Sequence, residues 1–180
     1  MMHNAVTTQT TINADRFVLR PPQVSDAGLV AMYLADATLA RNMRSVPHPL
    51  PPGTVEALIT RAQHPERTED VWIMDGSAHG NAEVLGAITL RAMDRDQSEI
   101  SGWVATAFEN AGFATEAMKA LVQANPQNSA CFLAEAFQDN AVSARVLTNC
   151  GFEYLGDAEA FSVARKAMVP TWTYILKTTA

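Results

Sequence analysis

SEISGWVATAFENAGFATEA, residues 98–117, holds the passage from strand to helix on which the fold depends. Residues 98–106 read as a strand, and FATEAMKALVQAN (113–125) reads as a helix ended by Asn125 and Pro126. Between them the helix head is bare. Asn110, Ala111, Gly112 and Ala114 surround Phe113, with Glu109 just before. The first-turn N–H groups of a helix have no internal acceptor and carry partial positive charge, so small residues there let an anion come close. Thr115 adds a hydroxyl donor. Small residues at such a junction serve strand–helix packing equally well, and one Gly-containing loop does not decide between the two.

Working outward, ACFLAEAF (130–137) reads as a strand and NAVSARVLTNCGF (140–152) as a helix, with Asn140 as N-cap and Gly151 as its left-handed terminus. RFVLRP (16–21) is a strand stopped at Pro21 and Pro22, and SDAGLVAMYLAD (25–36) is a helix with Ser25 and Asp26 as cap candidates. PHPLPP (47–52) reads as a stiff loop, since its prolines forbid a helix, and the wider loop RNMRSVPHPLPP (41–52) is expected to help bind the substrate. GTVEALITRAQ (53–63) follows as a helix capped by Gly53 or Thr54. DVWIMD (70–75) and EVLGAITLRAM (83–93) are strands joined by a hairpin loop, GSAHGNA (76–82). FEYLGD (152–157) and TWTYILKT (171–178) close the sheet, and DAEAFSVARKAMVPTW (157–172) is expected to border the substrate as a loop. Strands and helices in this order predict a mixed α/β layer fold.

A chain of 180 residues suits one core. Its net charge of −6 argues against non-specific binding to nucleic acid or an anionic membrane, and is compatible with a cationic substrate. No apolar run approaches the length of a membrane span. Residues 1–15 lack the basic flank and apolar centre of a secretory signal and read as a frayed polar tail. Cys131 and Cys150 are too few for a disulfide framework, which favours a reducing cytoplasm. Four scattered histidines offer no metal site.

Taken together, SEISGWVATAFENAGFATEA and NAVSARVLTNCGF resemble the GNAT superfamily of acetyl-CoA-dependent N-acetyltransferases, in particular its ribosomal-protein (Rim-type) N-terminal acetyltransferase branch. The intervals Glu99–Gly112 and Asn140–Phe152 match that branch without a gap, and the resemblance runs from about Arg16 to Lys177. It implies a GNAT-like central sheet, mixed but mostly antiparallel, of about seven strands with the middle ones splayed, flanked by about four helices. Residues 16–180 would form that single domain.

The resemblance also implies the site. The main chain of Val104 and Ala105 would hold the pantetheine arm of acetyl-CoA, and Trp103 reads as a core residue or as part of the cofactor's wall. The N–H groups of residues 110–115 (Asn110, Ala111, Gly112, Phe113, Ala114, Thr115) would hold the pyrophosphate, and no metal is implied. Glu109 stands where the superfamily usually has a basic or amide residue, and Asn110 where it has a glycine. Glu99 lies where a general base is often kept, and Glu135 is a second carboxylate candidate. The position of the superfamily's acidic tyrosine is Leu147, whereas the Rim branch's serine is matched by Ser143, beside Asn140 as cap and pantetheine contact. Each assignment has a plain alternative: an exposed strand position for Glu99, a cap for Asn140, a hydroxyl bonded back to the helix for Ser143. Arg41, Arg44 and His48 would meet an acidic peptide or the cofactor, or are simply solvated. The implied activity is acetyl transfer to a primary amine, of a peptide N-terminus or of a small molecule. A GNAT-fold CoA-binding module without turnover is the alternative, and a homodimer stays open.

Overall fold

A computed structural model describes residues 9–179. The strands are β1 (Ile12–Asn13), β2 (Val18–Arg20), β3 (Glu69–Asp75), β4 (Gly86–Ala92), β5 (Gln97–Val104), β6 (Cys131–Phe137), β7 (Glu153–Ser162) and β8 (Ala167–Lys177). The helices are α1 (Ala27–Leu34), α2 (Ala37–Arg41), α3 (Thr54–Ala62), α4 (Phe113–Ala124) and α5 (Ala141–Asn149). All eight strands join one sheet in the order β1-β2-β3-β4-β5-β6-β8-β7. Every pairing is antiparallel except β5 with β6.

The expected mixed sheet is present, with one more strand and one more helix than the sequence suggested. The extra strand, β1, lies inside the supposed tail. Ile12 pairs with Leu19 and is 9% exposed, the Trp72 indole N–H donates to Thr10 O at 2.9 Å, and Gln9 Nε2 donates to Val71 O at 2.6 Å. The chain is therefore tied down from Gln9 onward; residues 1–8 of the supposed tail lie outside the described residues. The extra helix, α2, is capped by Asp36, whose carboxylate accepts the N–H groups of Thr38 and Leu39. Residues 157–172 are not a loop but the long arms of the β7–β8 hairpin, paired from Asp157↔Trp172 to Ser162↔Ala167.

Two apolar clusters cover the sheet's two faces. Helices α4 and α5 lie over one, where Phe113, Leu121 and Leu147 meet Leu19, Trp72, Ile100 and Phe132. Helices α1–α3 lie over the other, where Leu34, Val55 and Ile59 meet Ile73 and Ala87. Strand β3 sends Trp72 and Met74 to the first face and Ile73 to the second, which is why its apolar run does not alternate with polar residues. The start of α1 is fastened by Arg20, whose guanidinium grips Asp26 at 2.8 Å and Asp75 at 2.7 Å. Asp26 is buried and makes no cap hydrogen bond to α1 itself. Its carboxylate instead accepts the Gln23 N–H at 2.7 Å and closes a capping box on the short 3-10 turn (Val24–Asp26) that leads into the helix.

The middle of the sheet opens. β5 pairs with β4 along its length, from Ala92↔Ser98 to Gly86↔Val104. Its parallel pairing with β6 covers only Gln97↔Cys131, Ser98↔Phe132 and Glu99↔Leu133, while β6 continues against β8 to Phe137↔Thr171. Beyond Glu99 and Leu133 the two strands part, as a splayed centre requires.

Candidate active site

The head of α4 forms one side of the opening. Gly112 is its N-cap at φ 81°, and Asn110 precedes it in the same left-handed region at φ 61°. Asn is among the residues that tolerate this conformation, so the turn stands without a second glycine. Among the described residues, the main-chain N–H groups of 110–115 have no acceptor in the turn or in the helix; the first internal bond of this region runs from Glu116 N to Gly112 O. Asn110, Ala111 and Gly112 are exposed and Ala114 and Thr115 half-exposed, whereas the Phe113 ring is buried against Phe17. Phe113 can offer only its main chain. Glu109 is exposed and takes part in no salt bridge among the described residues.

Within the opening, one assignment changes. The Ala105 N–H donates to Leu85 O at 2.9 Å, its carbonyl accepts from Phe108 N at 2.8 Å, and the residue is buried. Both its main-chain groups are consumed by the end of the strand. Main-chain groups alternate in direction along a strand, so an Ala105 turned toward β4 leaves Gly102 and Val104 turned toward the gap. Of the two residues expected to hold the arm, Val104 turns its main chain to the gap and Ala105 does not, while Gly102 turns the same way as Val104. Trp103 takes the core place of its two readings: its ring packs edge-on against Tyr33 at 6.3 Å within the α1–α3 cluster, on the sheet face opposite α4. It does not wall the α4 side.

The head of α5 follows the end of β6, as that of α4 follows the end of the parallel strand β5. Asn140 Oδ1 accepts the Ser143 N–H at 3.3 Å, and Asn140 Nδ2 donates to Ser143 Oγ at 2.8 Å. Ser143 thus does not bond back to the helix. Its oxygen is engaged as acceptor and its own proton has no acceptor among the described residues. Leu147, in the position of the absent tyrosine, is 4% exposed and belongs to the core.

On the opposite face, Glu99 and Glu135 share an arginine. Arg44 Nη2 donates to Glu99 Oε1 at 2.7 Å, and its Nη1 lies 3.6 Å from Glu135 Oε2; Arg91 adds a second bond to Glu99 Oε1 at 3.0 Å. Glu135 Oε1 is buried without a partner among the described residues. Above this group a clasp joins three elements. Arg165 pairs with Asp139 through two bonds (2.6 and 3.0 Å), Arg41 reaches the same carboxylate at 3.0 Å, and Val163 N donates to Arg44 O at 2.9 Å. The hydrogen bond from Arg165 outweighs partial desolvation and, with Arg41, holds the Asp139 carboxyl down at about 2. Arg41 and Arg44 are thus engaged rather than freely solvated.

Sequence reasoning missed Arg16, whose Nη2 would lie 3.4 Å from a Cβ at Gly112. Nothing in the spacing signals it, because it arrives at the α4 head from the other end of the chain. Among the described residues no cluster of His, Cys, Asp or Glu could hold a metal ion, and no helix is long and apolar enough to cross a membrane.

Residues 16–153 match the family model described as acetyltransferase (GNAT) domain. No curated protein matches the chain by sequence. Among solved structures, ribosomal-protein-S5-alanine acetyltransferase from Vibrio fischeri superposes with TM-score 0.76 at 17% identity, covering 94% of this chain and 97% of that one. Mycobacterium smegmatis RimJ in complex with CoA-disulfide gives TM-score 0.76 at 20% identity, with 94% and 88% covered. Spermidine N-acetyltransferase from Vibrio cholerae in complex with CoA and spermine gives 0.72 at 14%, with 89% and 95% covered. Identities this low speak for the fold alone.

Proposed function

The chain belongs to the GNAT acetyltransferase family, and from that premise we propose that residues 16–180 form one domain that moves the acetyl group of acetyl-CoA to a primary amine. The observation that carries this reading is the run of unpartnered main-chain amides at 110–115, set beside a gap between β5 and β6. A diphosphate fits such a head because Gly112 has no side chain to bar it and the helix end favours an anion. The main chain of Gly102 and Val104 faces the gap and suits an amide-bearing arm.

Acetyl-CoA supplies an acyl group activated as a thioester. The protein's part is to orient it, to accept a proton from the amine and to stabilise the departing sulfur. Glu99 takes the amine's proton through Oε2, which has no partner among the described residues, directly or by way of water. Ser143 turns its free hydroxyl to the departing sulfur as a hydrogen-bond donor, with Asn140 fixing the oxygen, and the thiolate takes its proton from water. Glu135 lines the amine's approach beside Arg44. The acceptor is a peptide α-amine or a small-molecule amine. Fold neighbours named for a ribosomal protein and for spermidine act on one class each.

Titration calorimetry with acetyl-CoA tests the premise, and a thiol-release assay over a panel of peptides and polyamines tests the acceptor. Absence of binding at millimolar acetyl-CoA removes the enzyme reading; binding without thiol release favours a module that senses CoA.

A further inference from the structure

We propose that Arg16 supplies the cation for the diphosphate of acetyl-CoA at the α4 head; the inference rests on the acetyl-CoA reading above. The turn that would receive the diphosphate carries Glu109, the first helical turn adds Glu116, and between them lies no basic residue. The helix end contributes only about half a unit of positive charge. A diphosphate seated there needs a cation from elsewhere in the fold.

Arg16 reaches the spot from just before β2. Its Nε donates to Glu116 Oε2 at 2.7 Å and its main-chain N–H to Glu116 Oε1 at 2.8 Å, so one carboxylate grips it at two points. Its guanidinium carbon lies 4.2 Å from the centroid of the Phe113 ring, which backs the planar group. Orientation is thereby fixed before any ligand arrives. Nη1 and Nη2 have no acceptor among the described residues, and Nη2 lies beside Gly112, the residue whose missing side chain leaves the amides open. A purely structural arginine, holding β2 to α4, would be satisfied by Nε and the main chain alone. The open edge is what a phosphate takes, since a guanidinium presents paired donors in the geometry that phosphate oxygens accept. Glu116, in turn, is a positioning residue that acts through Arg16.

The test is calorimetry of the full chain with CoA and with pantetheine, which lacks the diphosphate. Arg16→Gln is expected to weaken CoA about tenfold, a charge-assisted contact at a half-exposed site, and to leave pantetheine within about twofold. Arg16→Lys, keeping charge but not the fork, should fall between the two for CoA. Unchanged CoA affinity in Arg16→Gln overturns the proposal, as does an equal loss for both ligands, which would mark a structural residue. If the wild-type chain does not bind CoA, the acetyl-CoA reading fails and this inference with it. Should Arg16→Gln not fold, labelling of the wild-type protein with an arginine-directed dicarbonyl settles the matter. CoA should slow modification of Arg16 several-fold, and equal labelling overturns the assignment.

Discussion

Asn140 Nδ2 donates to Ser143 Oγ at 2.8 Å, so the residue that caps α5 also fixes the hydroxyl one turn on. The cap bond uses Asn140 Oδ1 and the Oγ bond uses Nδ2, leaving the Ser143 hydroxyl proton without an acceptor among the described residues. Ser143→Ala is therefore expected to lower kcat by about 10- to 100-fold, in line with loss of one hydrogen-bond donor to the developing thiolate, while the Kd for acetyl-CoA stays within about threefold. Steady-state kinetics beside calorimetry check this. A loss confined to KM would make Ser143 a binding contact instead.

Glu99 presents a different balance. Two arginines meet at its Oε1, from Arg44 at 2.7 Å and Arg91 at 3.0 Å, while Oε2 stays open. Glu99→Gln keeps an acceptor for the arginines and removes the proton acceptor. Turnover should fall by about 100-fold with little change in acetyl-CoA affinity, because Glu99 and the α4 head sit on opposite faces of the sheet. Equal turnover in the variant takes Glu99 out of the mechanism.

The positions of these groups were legible in the sequence to unequal degrees. The heads of α4 and α5 were readable because caps and small residues are local signals, set within a few positions of Gly112 and Asn140. What was misread depends on pairing between strands. Ala105 looked available until Leu85 and Phe108 took its two main-chain groups, and Trp103 lies on the other face because of strand phase. A one-residue shift in phase exchanges the two faces, and residue spacing fixes that phase poorly at a strand's end. Ile12 and Arg16 escaped notice because their partners, Leu19, Trp72, Phe113 and Glu116, come from other elements.

Asp139 gives the clasp a pH dependence of defined sign. Its carboxyl is held near 2 in the folded state against an ordinary 3.8, so its contribution is present above about pH 4 and is lost as pH falls through 4 to 2. The side chain is 43% exposed and solvent-screened, so Asp139→Asn should cost less than about 1 kcal/mol at pH 7. The wild-type and variant stability curves should converge by about pH 2. The larger effect is local: amide exchange in residues 42–46 should quicken in the variant, since Arg41 and Arg165 lose their common anchor. Unchanged exchange there would show that the Val163–Arg44 and Arg165–Arg41 bonds hold the segment without Asp139.

Gly86 tests the opening of the sheet from behind. It faces Val104 across β4 and β5, and a Cβ built on it would overlap the Trp103 carbonyl oxygen and lie 2.9 Å from Val104 Cα. Those are backbone atoms and cannot turn aside as a side chain would. Gly86→Ala must therefore push β5 toward the gap or part it from β4 at the residues whose main chain faces the pantetheine arm. Overpacking of this kind costs about 1 to 3 kcal/mol, which urea unfolding would read as a lower midpoint with unchanged slope. Pantetheine affinity should fall together with CoA affinity, because the displaced strand borders the arm rather than the diphosphate. That joint loss distinguishes a disturbed gap from the selective loss expected of Arg16→Gln. Intact affinity in a stably folded Gly86→Ala protein would mean that the main chain of Gly102 and Val104 does not carry the arm.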